Sequence, residues 1–394
     1  MKNNVLKIVA LGGLMFAATA SVVACSGGVA KGMKVGLIAL HSAASSTYDK
    51  NFVDAFRASA KKLGFTPVVR EDIPEDSTCQ EAAENLADTG CKIIFADSFG
   101  HEDYMIEAAR NYPDVEFCHA TGNKAAATNL PNYHNAFASI YEGRYLAGVV
   151  AGLKLRDMNS PTNKIGYVAA FPYAEVISGY TSFYLGVKSI VNDVTMDVKY
   201  TNSWYDEVAE KAAANSLIQG GAVLISQHAD SYGAPSACEE AGVPNVAYNG
   251  STKAVAPNTF LVSSKINWSP YYEFVVQTVL DEEVIPADWC GGFAEGSVEI
   301  SELGDSVAPD TQAEVDLVKS KLEAGTLKVF DTSKFTVDGQ APSEANMAPS
   351  KQWTFDYPEG TLFVSDGYYH ESEYRSAPYF DVIIDGINPL DDLA

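Results

Sequence analysis

Aromatic and imidazole side chains recur in this sequence at one kind of place, the polar segment that follows a short apolar run. Tyr48, Phe99, His119, Phe171, Trp204 with Tyr205, and His228 all stand there, and Ser45, Ser46, Ser98, Asn202, Asp230, Ser231 and Asn249 lie beside them. Flat rings facing one another across a cleft hold a planar ligand by offset stacking, worth about 0.5–1.5 kcal/mol per pair beyond the area buried. The polar neighbours supply donors and acceptors for ring nitrogens, an exocyclic amine or hydroxyls. Asp230, in His228-Ala229-Asp230-Ser231, offers two acceptor oxygens suited to a diol or an amine, and it also suits the N-cap of a helix beginning near Ala234. Trp268 opens a later helical stretch, where it either lines the cleft or packs the core.

Catalytic chemistry finds little support in the same residues. There is no Gly-x-x-x-x-Gly-Lys-Ser/Thr phosphate loop, no Gly-x-Ser-x-Gly elbow, no His-Glu-x-x-His helix and no Cys-x-x-Cys pair. Asp97, Asp230 and the histidines leave room for a general base, since acid–base catalysis needs spatial rather than sequential proximity. A nucleoside-cleaving enzyme is therefore the weakest of the readings, and neither cofactor nor metal is expected.

The elements that must position these residues alternate. Apolar runs at 34–40, 67–70, 92–96 and 115–120 read as strands, with helices at 51–63, 81–88 and 104–111 between them. A second series follows, with strands at 164–170, 195–201, 222–227 and 245–248 and helices at 142–155, 180–191, 208–219 and 234–241. Further on come a strand at 260–266, a helix at 271–280 and, in a mixed tail, a helix at 313–324. Such alternation predicts right-handed βαβ units, hence an α/β fold of two doubly wound parallel-sheet lobes. Ligands of open parallel sheets bind beyond the carboxyl ends of the strands, which is where the aromatic segments fall.

The first residues read as an export signal. Lys2 and Lys7 precede an apolar run from Ile8 to Ala24 that is short for a membrane span, and Ser21-Val22-Val23-Ala24-Cys25 resembles a bacterial lipobox, in which Cys25 would be acylated. A formal net charge of −24 repels nucleic acid and anionic lipid, so neither is an expected partner. Of the six cysteines, Cys79 and Cys91 lie about one helix apart, as a bridge or as buried free thiols.

Several segments together resemble the basic membrane protein (BMP) family of lipoprotein substrate-binding components of ABC transporters. They are the 93–100 segment ending Asp97-Ser98-Phe99-Gly100, His119-Ala120-Thr121-Gly122, Tyr141-Glu142-Gly143-Arg144-Tyr145-Leu146-Ala147-Gly148, Lys164-Ile165-Gly166-Tyr167-Val168, Asn202-Ser203-Trp204-Tyr205-Asp206, Gln227-His228-Ala229-Asp230-Ser231 and Ile266-Asn267-Trp268-Ser269-Pro270-Tyr271-Tyr272. The resemblance implies a type I periplasmic-binding-protein fold with a three-strand hinge near 136–141, 260–266 and 290–293. It divides the chain into a lipoprotein signal peptide (1–24), an anchor linker (25–32), lobe one (33–137 with 267–289) and lobe two (138–266 with 290–394, including the tail). It further implies an extracytoplasmic, lipid-anchored protein whose partners are a small ligand and an ABC permease, touching membrane only through its anchor. The ligand so implied is a purine base or nucleoside, held by Ser45, Tyr48, Ser98, Phe99, Phe171, Asn202, Trp204, His228, Asp230, Asn249 and Trp268. The first loop, Ala43-Ala44-Ser45-Ser46-Thr47-Tyr48, departs from the Asp-x-Ser-Phe-Asn pattern of nucleoside binders, which favours a free base such as adenine. A ligand-sensing or adhesion lipoprotein without a transporter is the alternative.

Overall fold

Val35-Gly36-Leu37-Ile38 and Ile93-Ile94-Phe95-Ala96 are apolar without alternation and almost wholly buried, as strands covered on both faces of a parallel sheet must be. The computed structural model of the chain describes residues 30–349, 357 and 360–391. Cys25 and the signal segment lie outside them.

In chain order the first elements are β1 (Lys34–Ile38), α1 (Thr47–Leu63), β2 (Thr66–Arg70), α2 (Ser77–Asp88), β3 (Cys91–Ala96), α3 (Glu102–Asn111), β4 (Glu116–Ala120), the single turn α4 (Ala125–Thr128) and β5 (Tyr133–Ala138). The second series is α5 (Ile140–Met158), β6 (Lys164–Ala169), α6 (Ala174–Lys188), β7 (Thr195–Tyr200), α7 (Glu207–Gln219), β8 (Ile225–Gln227), α8 (Gly233–Ala241), β9 (Asn245–Tyr248) and β10 (Phe260–Ile266). There follow α9 (Ser269–Leu280), β11 (Asp288–Gly291), β12 (Val298–Ile300), α10 (Thr311–Glu323), α11 (Glu344–Met347), the pair β13 (Val364–Ser365) and β14 (Tyr368–Tyr369), and β15 (Ile387–Pro389).

These strands form two large sheets. One has the order β11-β5-β4-β3-β1-β2 and is wholly parallel; the other has the order β12-β10-β9-β8-β6-β7-β15, with only β12 antiparallel to its neighbour. The chain passes between them after β5, after β10 and again between β11 and β12. The architecture is the α/β, periplasmic-binding-protein type of fold.

Helices α1 and α6 start earlier than the periodicity predicts, and both shifts matter to the site. Ser46 accepts the amide of Asp49, so α1 begins at Thr47 rather than near 51. α6 begins at Ala174 rather than near 180. α5 and α6 pack backbone to backbone: a Cβ added at Gly148 would lie 2.1 Å from the Phe183 carbonyl oxygen, and one at Gly186 would lie 2.1 Å from that of Tyr145. Cys79, Cys91, Cys118, Cys238 and Cys290 are free, so the Cys79–Cys91 bridge does not form.

The tail beyond α10 touches both sheets. β15 lengthens the second sheet beside β7, while the Ser376 amide and hydroxyl both donate to Asp288 at the start of β11 in the first.

Candidate ligand-binding site

The loops at the carboxyl ends of the two sheets face one another across a pocket of about 380 Å³, its solvent-open part included. Leu40, His41, Tyr48, Asp49, Ser98, Phe99 and Thr121 line it from the first lobe; Glu175, Trp204, His228, Asp230 and Tyr248 line it from the second. The rims of the lobes touch. The Thr47 hydroxyl donates to the Asp230 carbonyl at 3.2 Å, His41 meets Tyr205 with ring centroids 5.4 Å apart, and Phe99 meets Tyr173 at 5.7 Å.

On the first-lobe side two aspartates are clasped by backbone. Asp97 Oδ1 accepts the Leu40 amide at 3.1 Å, and Asp49 Oδ1 accepts the His41 amide at 2.8 Å. Both side chains are fully buried and bond to one another. Burial raises Asp97 well above the usual carboxylate range, with the Asp49 charge as the next cause; Asp49 is raised by burial too. Each carboxyl opposes ionisation of the other. The Tyr48 hydroxyl donates to the Asp97 carbonyl at 2.5 Å. Ser98 donates to Glu75 at 2.5 Å, and the buried His119 bonds the Ser98 carbonyl at 2.6 Å, so the loop carrying Phe99 is tied from two directions.

On the second-lobe side a chain of side chains does the same work. Arg144, buried on α5, donates to the Gln227 carbonyl at 2.8 Å and to His228 Nδ1 at 3.0 Å, and its guanidinium carbon lies 3.4 Å from the centre of the Tyr248 ring. A guanidinium only donates, so Nδ1 accepts and the His228 proton sits on Nε2, which donates to Glu175 at 3.2 Å. Burial, then the Arg144 charge, lowers the His228 pKa to about 4, so the ring is neutral. Glu175 occupies the first turn of α6, where the helix dipole favours an anion. The 228–231 loop is pinned by the Gln227 amide donating to the Ala229 and Ser231 carbonyls, and by Glu210 accepting the Ser231 amide. Burial holds Asp230 well above the usual range, with Asp49 and Glu210 adding.

Six of the residues expected from sequence therefore meet at the cavity: Tyr48, Ser98, Phe99, Trp204, His228 and Asp230. Five do not. Ser45 is exposed and bonds the Ser42 carbonyl within a turn. Asn202 is exposed in a left-handed turn at φ 56°. Phe171 stands behind the wall, stacked on Tyr173 at 5.0 Å and edge-on to Trp204 at 5.1 Å. Asn249 is also one step back, with its amide 3.4 Å from Asp230. Trp268 is core, stacked on Phe52 at 4.3 Å and 2% exposed.

Sequence reasoning missed Leu40, His41, Asp49, Thr121, Glu175, Tyr248 and the supporting Arg144. Asp49 and Glu175 stand in the first turns of α1 and α6. Arg144 carried a usable signal, a cation within a helix otherwise apolar and small on its packed face.

Chemically, the cavity offers carboxyl acceptors, a neutral imidazole and rings from both lobes. That combination suits a flat molecule rich in N–H or O–H donors and repels anions. Among the described residues no group of three or more His, Cys, Asp or Glu is placed to hold a metal ion.

Residues 33–333 match the family model Bmp, described as ABC transporter substrate-binding protein PnrA-like. A purine-binding protein of Brucella abortus is 32% identical over 260 residues, 66% of this chain and 71% of its own length. A putative ABC transporter glucose-binding protein of Haloferax volcanii is 32% identical over 262 residues, 66% of this chain and 64% of its own. Among solved structures, a solute-binding protein of an ABC transporter system from Conexibacter woesei superposes with a TM-score of 0.64 at 21% identity, covering 75% of this chain and 98% of its own.

Proposed function

The chain belongs to the Bmp family of PnrA-like ABC transporter substrate-binding proteins, and from that premise we propose that its interlobe cavity carries a purine base such as adenine, or a purine nucleoside, to a permease. The family binds substrates for transporters and is not a family of enzymes. Substrate-binding proteins of ABC importers work outside the cytoplasm, and no helix among the described residues is long and apolar enough to cross a membrane. The observation that carries the ligand reading is the composition of the cavity: Phe99 and Trp204 from opposite lobes, with Asp49, Glu175 and Asp230 as acceptors. A purine presents two aromatic faces and a donor-bearing edge, which matches rings and carboxyls in that arrangement. The relative from Brucella abortus, named a purine-binding protein, supports it.

Closure follows from the division of contacts. A ligand bonded to both lobes stabilises the touching arrangement through its differential affinity for that state. The proposed moving bodies are 33–137 with 267–289 and 138–266 with 290–394, turning about the three crossings. Anchoring through acylated Cys25 is likewise proposed; Cys25→Ser is expected to release the protein from membranes of the producing cell.

A sugar is the second reading, because carboxyl acceptors also suit hydroxyls and the Haloferax volcanii relative is named a glucose-binding protein. Calorimetry with adenine, adenosine, guanosine and glucose separates the two. Heat with a purine and none with glucose is the expected result; heat with glucose alone would transfer the assignment, and silence with all four would end the purine reading.

A further inference from the structure

The ligand cavity does not end where its polar groups end. A second chamber, also of about 380 Å³ with its solvent-open part included, adjoins it and shares Phe99, Thr121 and Glu175 as lining. Asn123, Phe137 and Tyr173 continue the walls, and the far wall is formed by Arg375, Ala377 and Pro378 of the tail. Those tail residues lie beyond the 33–333 range of the family model.

The wall is held rigidly in three ways. Arg375 donates from Nε to the Ala377 carbonyl and from a terminal nitrogen to the Pro378 carbonyl, both at 3.0 Å, closing a tight turn. The buried Glu371 carboxylate accepts the amides of Tyr379 at 2.8 Å and Phe380 at 2.7 Å. Asp288, on the crossing strand β11, accepts the Ser376 amide at 2.6 Å and its hydroxyl as well. Charge-assisted bonds of this kind are the strong ones, and together they fix a segment without regular secondary structure against the hinge side of the cleft.

We propose that the tail segment 371–380 is the end wall of the ligand cleft and sets how large a substituent a bound ring can carry into the second chamber. The proposal rests on the purine reading of the first cavity. The segment thus acts as a specificity determinant supplied from the far end of the chain, while the ring itself is held by groups that the tail does not touch. Ala377 is the position to fill, because it lines the chamber with the smallest side chain of the three tail residues there.

The test is calorimetry with adenine, 9-methyladenine and adenosine on the wild-type protein and on Ala377→Val and Ala377→Trp. The graded pair guards against misfolding of the larger variant. Expected are adenine affinity unchanged within about twofold and adenosine weakened progressively, by about tenfold or more with Trp, the scale of overpacking a filled space. Equal loss for adenine and adenosine, or no loss for either, would overturn the proposal. If the wild-type protein takes none of the three, the purine reading falls by itself and hydrogen exchange of the free protein decides the wall. Amides of Ser376, Tyr379 and Phe380 exchanging as slowly as those of β11 would keep it, and exchange at the rate of an unstructured chain would remove it.

Discussion

The two walls of the cavity hold their polar groups by different means. In the first lobe, Asp49 and Asp97 clasp the amides of residues 40 and 41, so the arrangement is closed between the first turn of α1 and two neighbouring loops. In the second lobe, Glu175, His228, Arg144 and Tyr248 come from four different elements, two of them the helices α5 and α6 that approach closely at Gly148 and Gly186. The first wall is a product of backbone geometry, the second of helix packing. Distant substitutions should therefore reach ligand affinity through the second wall more readily than through the first.

The largest effect is expected where that packing is tightest. Gly186→Ala drives a methyl into the Tyr145 carbonyl and should cost more than about 3 kcal/mol of stability, read by thermal or denaturant unfolding. A normal melting curve would show that the helices can part without consequence, and the contrast between the walls would lose its basis. Next, Arg144→Met keeps the volume but removes the donor that fixes the His228 tautomer, and ligand affinity should fall by about 2 kcal/mol in calorimetry. Unchanged binding would make Arg144 mere core.

Acid gives the third prediction. Burial raises Glu142, Glu210 and Glu371 to about 7 and Asp288 to about 6. Folded, these groups keep protons that the unfolded chain has already released, so the stability they contribute is full below the unfolded range and is lost as pH rises through 6 to 7. His101 and His228, lowered to about 4, act in the opposite sense, losing stability as pH falls from about 6.5 toward 4. The raised carboxyls outnumber the lowered imidazoles, so the Tm should be several degrees higher at about pH 5.5 than at about pH 8. A flat or reversed profile would show that these groups ionise freely. The smallest effect is Trp204→Ala, which should weaken binding by just over about 1 kcal/mol, the worth of one stacking partner.

Much of the fold could be read from the chain. The alternation of apolar runs and helical stretches predicts two parallel sheets, and β3, β9 and β10 fall within a residue of their expected bounds. What was hidden at the site is hidden for a physical reason. A helix start is decided by a cap rather than by periodicity, so Ser46 gathered Tyr48 and Asp49 into α1, and the early start of α6 turned a presumed loop residue, Glu175, into an anion on a helix terminus. Asn202 and Ser45 belonged to the right loops but face away, since loop membership does not set side-chain direction. Trp268 was ambiguous in sequence because a ring beside a strand end suits a core as well as a cleft. The tail was illegible altogether: its order comes from bonds such as Ser376 to Asp288 that no local pattern announces.

The strand order of the first sheet bears on how the molecule is made. Its edge strand pairs Asp288 with Asn135, and the other sheet pairs Ile387 with Met196. Neither sheet is completed from a contiguous stretch of nascent chain, so each keeps an edge open until a strand far along the sequence arrives. Pairings so distant in sequence are slow to close.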